Sequence, residues 1–193
     1  MHRLADIEIS ASELAAARAG DVTVRAALFA KLARPTLGII RRLVNHRALA
    51  EDLLQDTLIA MFEHLGDYRG EAPFGAWVRS IAVSRCLMAF RSPWQRARVA
   101  LESFTEDSGP WPVEPEGRTA DLIDLERALA RLSPITRAVV WLYDVEGLSH
   151  EEIAKGFGRT VSFSKSQLAR GHARLRDELS PPAPRALRAT LVE

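Results

Sequence analysis

Residues 99–121, VALESFTEDSGPWPVEPEGRTAD, set the first limit on what this chain can fold into. Three prolines, two glycines and a cluster of acids leave no helical period in the stretch. Proline and glycine interrupt regular structure, and long structureless loops are uncommon inside a compact domain. The stretch therefore reads as a flexible acidic linker, with a separate fold on either side.

Both flanks are helical in pattern, and no segment alternates as a strand would. Residues 10–19 offer Ser10 or Ser12 as an N-cap and Gly20 as a stop. Residues 22–45 carry a helical period with Pro35 as a kink or break. In residues 48–65, Leu49, Leu53, Leu54, Leu58, Met61, Phe62 and Leu65 form one apolar stripe, closed by Gly66. Pro73 suits the first turn of a helix reaching about Phe90. Beyond the linker, helices are expected at 121–132, 134–146, 149–157 and 162–179. Ser133-Pro134 is a cap followed by a first-turn proline. Ser149 and Glu152 have the spacing of a capping box, and Ser162 is placed to cap the last helix. Two short helices joined by the Gly-containing FGRTV turn form a helix-turn-helix pattern. The fold class is thus all-α, in two small helical domains. The expected boundaries are 1–98, linker 99–121, 122–180, and a short tail 181–193.

Net charge is only +1 over 193 residues, so the distribution of charge carries the information. Lys155 to Arg176 holds six cations and no acid. Glu71 to Glu102 encloses a second acid-free tract with Arg79, Arg85, Arg91, Arg96 and Arg98, interleaved with Phe74, Trp77, Phe90 and Trp94. A solvated helix face usually mixes signs. Arginine tracts suit phosphates, and rings between them can stack on unpaired bases. Phe74, Trp77, Ile81 and Phe90 fall at helical spacing and are expected mainly in the core. Residues 51–56, EDLLQD, present Glu51, Asp52, Gln55 and Asp56 on one helix face. That acidic face fits a basic protein partner better than a phosphate backbone.

Enzyme chemistry is not expected. His46, His64, His150 and His172 are scattered without ligand spacing, and Cys86, the lone cysteine, lacks an activating motif. No phosphate-binding glycine loop or nucleophile elbow occurs, so neither cofactor nor metal is expected. A single cysteine fits a reducing cytoplasm. No signal-peptide core and no membrane-length apolar run is seen.

The segments AEDLLQDTLIAMFEHLGDYRGEAPFGAWVRSIA and ALARLSPITRAVVWLYDVEGLSHEEIAKGFGRTVSFSKSQLARGHARLR resemble regions 2 and 4 of extracytoplasmic-function, or group IV, sigma factors of the bacterial sigma-70 family. The resemblance spans about residues 10–98 and 122–179, in the family's order. It implies a protein that binds core RNA polymerase and directs it to promoter DNA, under control of an anti-sigma factor. Asp52, Gln55 and Asp56 would meet the beta-prime clamp helices, and the second module the beta flap. Tyr68, Trp77, Arg79, Ser84 and Arg85 would serve the minus-10 element, with Ser84 where the family usually has Asn. Phe163, Lys165, Ser166, Gln167, Arg170 and Arg174 would serve the minus-35 element. Ser164 and Gly171 depart from the apolar residues usual on the inner face of that helix, and are expected to weaken its packing. The rival reading is a LuxR-like regulator that uses the helix-turn-helix alone.

Overall fold

The computed structural model describes residues 4–44, 46–92 and 120–180. Most of the linker and the whole 181–193 tail lie outside these residues. So do Trp94, Arg96 and Arg98.

Eight α-helices occur in the described residues, preceded by a short 3-10 turn at Leu4–Asp6. They are α1 (Ala11–Arg18), α2 (Val22–Val44), α3 (Arg47–Glu63), α4 (Phe74–Arg91), α5 (Ala120–Ala130), α6 (Pro134–Val140), α7 (His150–Phe157) and α8 (Val161–Leu179). No strand occurs among them. Helices α1–α4 form the first module and α5–α8 the second.

Local chemistry accounts for most helix ends. Ser10 caps α1, and Glu13 returns the bond to the Ser10 N–H at 2.8 Å. Ser133 caps α6 ahead of Pro134, and the Ser149–Glu152 capping box opens α7. Three expected ends differ. Of the kink or break expected at Pro35, the break does not occur: α2 continues as one helix, because losing one amide bond is offset by burial of Leu32, Thr36, Ile39 and Ile40 around it. α3 ends at Glu63 and passes into a 3-10 turn at Leu65–Asp67, so Gly66 is not its stop. The cap of α8 is Thr160, whose hydroxyl accepts from the Phe163 N–H, and not Ser162. The tight turn before it depends on Gly158 at φ 63°, a left-handed conformation that costs glycine little.

The helix expected over 134–146 is α only to Val140, then a wider π turn from Trp141 to Val145. Such single-turn insertions re-aim the side chains that follow. Here the π turn brings Trp141 and Glu146 into one hydrogen bond, 2.9 Å from indole Nε1 to the carboxylate.

Leu28, Leu32, Ile40, Leu43, Met61 and Val78 are fully buried between α2, α3 and α4. Leu142, Ile153 and Val139 form the centre of the second module. The two modules touch. Phe90 of α4 meets Phe157 of α7 with ring centroids 5.5 Å apart.

Candidate nucleic-acid and partner surfaces

Helix phase decides what α3 offers. Leu53, Thr57, Leu58 and Met61 face the core, so Asp52, Gln55 and Asp56 stand exposed on the far side. Ile59 shares that face and is 47% exposed. It lies three and four residues beyond Asp56 and Gln55, where side chains on a helix are neighbours. An exposed isoleucine set among acids adds an apolar centre to the surface. It was readable as the one bulky apolar residue of 48–65 outside the stripe, and was not singled out.

The turn after α3 is held from behind. Arg18 of α1 donates to the Leu65 carbonyl at 3.2 Å and to the Tyr68 carbonyl at 2.6 Å. The Tyr68 hydroxyl donates to the Ala72 carbonyl at 2.6 Å. The Tyr68 ring stands edge-on to Phe74 at 5.1 Å and tilted to Trp77 at 5.4 Å. Phe74 is buried, whereas Tyr68 and Trp77 are half-buried. This is a braced aromatic platform, and Arg18 is a supporting residue that motif reading did not find. Ile81 and Phe90 also pack against the core, as their spacing suggested.

Helix α4 has two unlike stripes. Ser80, Ser84, Met88 and Arg91 are exposed at helical spacing. Arg79, Leu87 and Phe90 face the second module. Arg79 Nη1 donates to the Glu146 carboxylate at 3.0 Å, and that carboxyl side chain is only 6% exposed. Arg85 is half-buried. Of the five residues expected to serve the minus-10 element, Tyr68 and Trp77 touch each other, while Ser84 lies on the outer stripe and Arg79 on the inner one.

On α8, Lys165, Arg170 and Arg174 are exposed. The Ser166 hydroxyl donates to the Ser162 carbonyl at 2.5 Å. Gln167 is half-buried, and its Oε1 accepts from Thr136 Oγ1 of α6 at 2.7 Å. Phe163 turns toward Phe157, with ring centroids 5.9 Å apart. The outer face of α8 thus carries cations, while Phe163 and Gln167 reach back toward the rest of the module. An exposed cation row on the second helix of a helix-turn-helix suits phosphate and base-edge contact in a major groove.

The inner face of α8 corrects one expectation. Ser164 is fully buried, and its hydroxyl bonds His150 Nδ1 at 3.0 Å, while that imidazole stacks on Tyr143 at 4.5 Å. Gly171 is not a packing defect either. A Cβ there would lie 2.3 Å from Val140 Cγ2 and 3.2 Å from Thr136 Cγ2. The glycine is what lets α6 and α8 approach this closely.

Cys86 is buried, and burial pushes its thiol up to about 12. A thiol held protonated at neutral pH is a poor nucleophile. Among the described residues, no three His, Cys, Asp or Glu side chains sit together as a metal site. No described helix is long and apolar enough to cross a membrane.

Comparison with known proteins agrees along both modules. The family described as Sigma-70 region 2 matches residues 28–96, and Sigma-70, region 4 matches residues 122–175. CarQ, an RNA polymerase sigma factor of Myxococcus xanthus, is 34% identical over 153 residues, covering 79% of this chain and 87% of CarQ. The extracytoplasmic-function sigma factor SigM of Mycobacterium tuberculosis is 30% identical over 174 residues, covering 90% of this chain and 84% of SigM. SigE of Mycolicibacterium smegmatis is 36% identical over 145 residues, covering 72% of this chain but only 55% of SigE, so the match spans about half of that protein. Among solved structures, the sigma factor RpoE in complex with the anti-sigma factor NepR from Bartonella quintana has a TM-score of 0.56 and 23% identity. It covers 82% of this chain and 98% of that one, a likeness of fold.

Proposed function

The chain belongs to the sigma-70 family, in its extracytoplasmic-function group, and from that premise we propose that it binds core RNA polymerase and directs it to promoters. The observation that carries the reading is the order of two different modules in one chain. The first matches region 2 and the second matches region 4. A regulator using only a helix-turn-helix has no use for the first, and the LuxR-like alternative is not supported. Sigma factors do not perform covalent catalysis, so the chemistry is recognition and strand separation.

Each surface then takes a role. The exposed Asp52, Gln55 and Asp56, with Ile59 beside them, dock on the basic clamp helices of the beta-prime subunit. Carboxylates steer the encounter, and the isoleucine supplies desolvated area at its centre. The second module meets the beta flap. Tyr68, Trp77 and Phe74 form the platform beside which a minus-10 base leaves the duplex. Unstacking a base costs a few kcal/mol, and stacking on a braced ring returns part of it. Arg79 and Arg85 hold phosphates of the displaced strand, and Ser84 on the outer stripe contributes to base choice. On α8, Lys165, Ser166 and Arg170 read the minus-35 major groove and Arg174 grips phosphate. Gln167 and Phe163 set how far the helix projects, because both are tied to neighbouring helices. An anti-sigma factor is the proposed regulator; the solved relative from Bartonella is bound to one.

The test is reconstitution. The purified chain should co-elute with core RNA polymerase and support run-off transcription from a subset of a promoter library. Asp52→Arg with Asp56→Arg should cut co-elution at least about tenfold, since like charges across an interface cost several kcal/mol. Wild-type protein that never joins the core enzyme would remove the whole reading.

A further inference from the structure

Gln167 differs from its exposed neighbours Lys165 and Arg170, because its amide is anchored at one end only. Its Oε1 accepts from the Thr136 hydroxyl of α6 at 2.7 Å. Its Nε2 has no hydrogen-bond partner among the described residues and is not one of their buried orphan atoms, so it meets solvent. Arg170 stands three residues on, where helix side chains are neighbours. Gln167 therefore borders the exposed cation row of α8.

The anchor has a direction, and a helix cap sets it. Ser133 Oγ accepts from the Thr136 N–H at 3.3 Å, and the two hydroxyl oxygens lie 2.7 Å apart. With its oxygen engaged by that N–H, Ser133 gives its proton to Thr136 Oγ1. A hydroxyl has one proton to give, and Thr136 gives its own to Gln167. Thr136 is 8% exposed, so water has little access to the relay. Gly171, one turn beyond Gln167, makes the reach possible: even a Cβ there would lie 3.2 Å from Thr136 Cγ2.

We infer that this relay makes Gln167 a reader of hydrogen-bond acceptors, selecting guanine at its base pair where an unanchored glutamine selects adenine. The inference rests on the proposed placement of α8 in the minus-35 major groove, and adds a base contact to the tie that Gln167 makes. A glutamine reads adenine with both ends of its amide, accepting from N6 and donating to N7. Here the carbonyl end is turned toward α6 and held there. What is left for DNA is an NH2 group with two protons and no acceptor. Guanine offers two acceptors on its major-groove edge, O6 and N7, and thymine offers one, O4. Adenine sets an N6 amino group beside its N7, facing the same protons, and cytosine offers only a donor. Thr136 and Ser133 are thus positioning residues, which act on the base through Gln167.

Promoter selection by the full chain with core RNA polymerase tests this. A library randomised over the minus-35 element is transcribed with wild type and with Gln167→Ala. The base pair that loses its preference in Gln167→Ala is the one that Gln167 reads. At that pair wild type should favour guanine over adenine about tenfold, the scale of one good base contact. Thr136→Val keeps the shape of the side chain and removes the hydroxyl. It should move that ratio toward adenine at least about fivefold, with preferences at the other pairs unchanged. Thr136→Ser keeps the hydroxyl and should select as wild type does. Lost packing alone would lower transcription from every library member and move no single pair. The wild-type ratio decides by itself should Thr136→Val fold poorly. Wild-type preference for any base other than guanine at the Gln167 pair would overturn the inference. So would a Thr136→Val profile identical to wild type, or a Gln167→Ala profile in which no pair relaxes. Wild type that never joins core polymerase would remove the sigma-factor reading, and this inference with it.

Discussion

The two modules are stabilised by different means. The first is an apolar packing problem: Leu28, Leu32, Ile40, Leu43, Met61 and Val78 are fully buried between three long helices. The second, α8 apart, has short helices, and they are tied by polar links. Ser149 and Glu152 share a capping box, His150 meets Ser164, Thr136 joins Ser133 to Gln167, His172 meets Asp144 at 2.7 Å, and Arg131 pairs with Glu178. Short helices bury little area each, so caps and cross-links are a larger share of what holds them. The two modules should therefore break under different substitutions.

The largest effect should come from the apolar module. Leu32→Ala removes a side chain with no solvent exposure and should cost about 2–5 kcal/mol in denaturant unfolding, transfer and cavity terms together. A loss under about 1 kcal/mol would mean that α2 repacks freely, and the contrast with the second module would fade.

In the second module a large effect runs the other way. Arg137 of α6 is 4% exposed, and its Nε and Nη2 have no hydrogen-bond partner. Burial pulls its guanidinium down to about 10. A base whose folded pKa is lowered destabilises the fold while charged. That penalty is complete below about 10 and lifts only as pH rises from there toward the ordinary 12.5. Arg137→Met should thus stabilise by about 1–4 kcal/mol, with no pH dependence between about pH 6 and 9. Thermal melts at several pH values would show it; destabilisation would mean that the charge has a partner in solution.

Next in size is the close approach of α6 and α8. Gly171→Ala improves helix propensity by about 1 kcal/mol, yet its methyl would meet Val140 Cγ2 at 2.3 Å. Valine is stiff at χ1, so the clash should win and cost about 1–3 kcal/mol. Stabilisation by alanine would show that the two helices separate easily.

These differences also explain what the sequence made legible. In the first module the 3.6-residue stripe of 48–65 located α3 and, by phase, its exposed acids. In the second, Ser133 and Ser149 marked helix starts through known capping chemistry, and the Gly-containing FGRTV stretch marked the turn between the last two helices. Errors arose where tertiary packing decided. Burial of Ile39 and Ile40 carried α2 past Pro35, and Thr160 took the cap that Ser162 could also have offered. Ser164 and Gly171 were visible as unusual residues, but their partners His150 and Val140 belong to other helices. Arg79 with Glu146 is the extreme case: each was readable as a charge on a helical segment, and nothing local joins them. Site residues on exposed helix faces could be placed from periodicity, whereas contacts between modules could not.

The smallest expected effect tests whether caps matter as much as this contrast requires. The Ser149 hydroxyl accepts from the Glu152 N–H at 3.2 Å, and the Glu152 carboxylate accepts from the Ser149 N–H at 2.8 Å. That backbone bond, with help from the Ser149 hydroxyl, lowers the Glu152 pKa from 4.5. A carboxyl lowered in the folded state adds stability above its unfolded pKa, and the contribution is lost as pH falls through the folded value. Ser149→Ala should cost about 1 kcal/mol at neutral pH, and Glu152→Gln should lose only the acid-sensitive part. As pH falls through the folded-state value, wild type and Glu152→Gln should converge. The equivalent pair in α1, Ser10 and Glu13, has the same geometry in the module with the larger apolar core. If Ser10→Ala lowered the melting temperature of the whole chain more than Ser149→Ala did, the division into an apolar module and a polar one would be wrong.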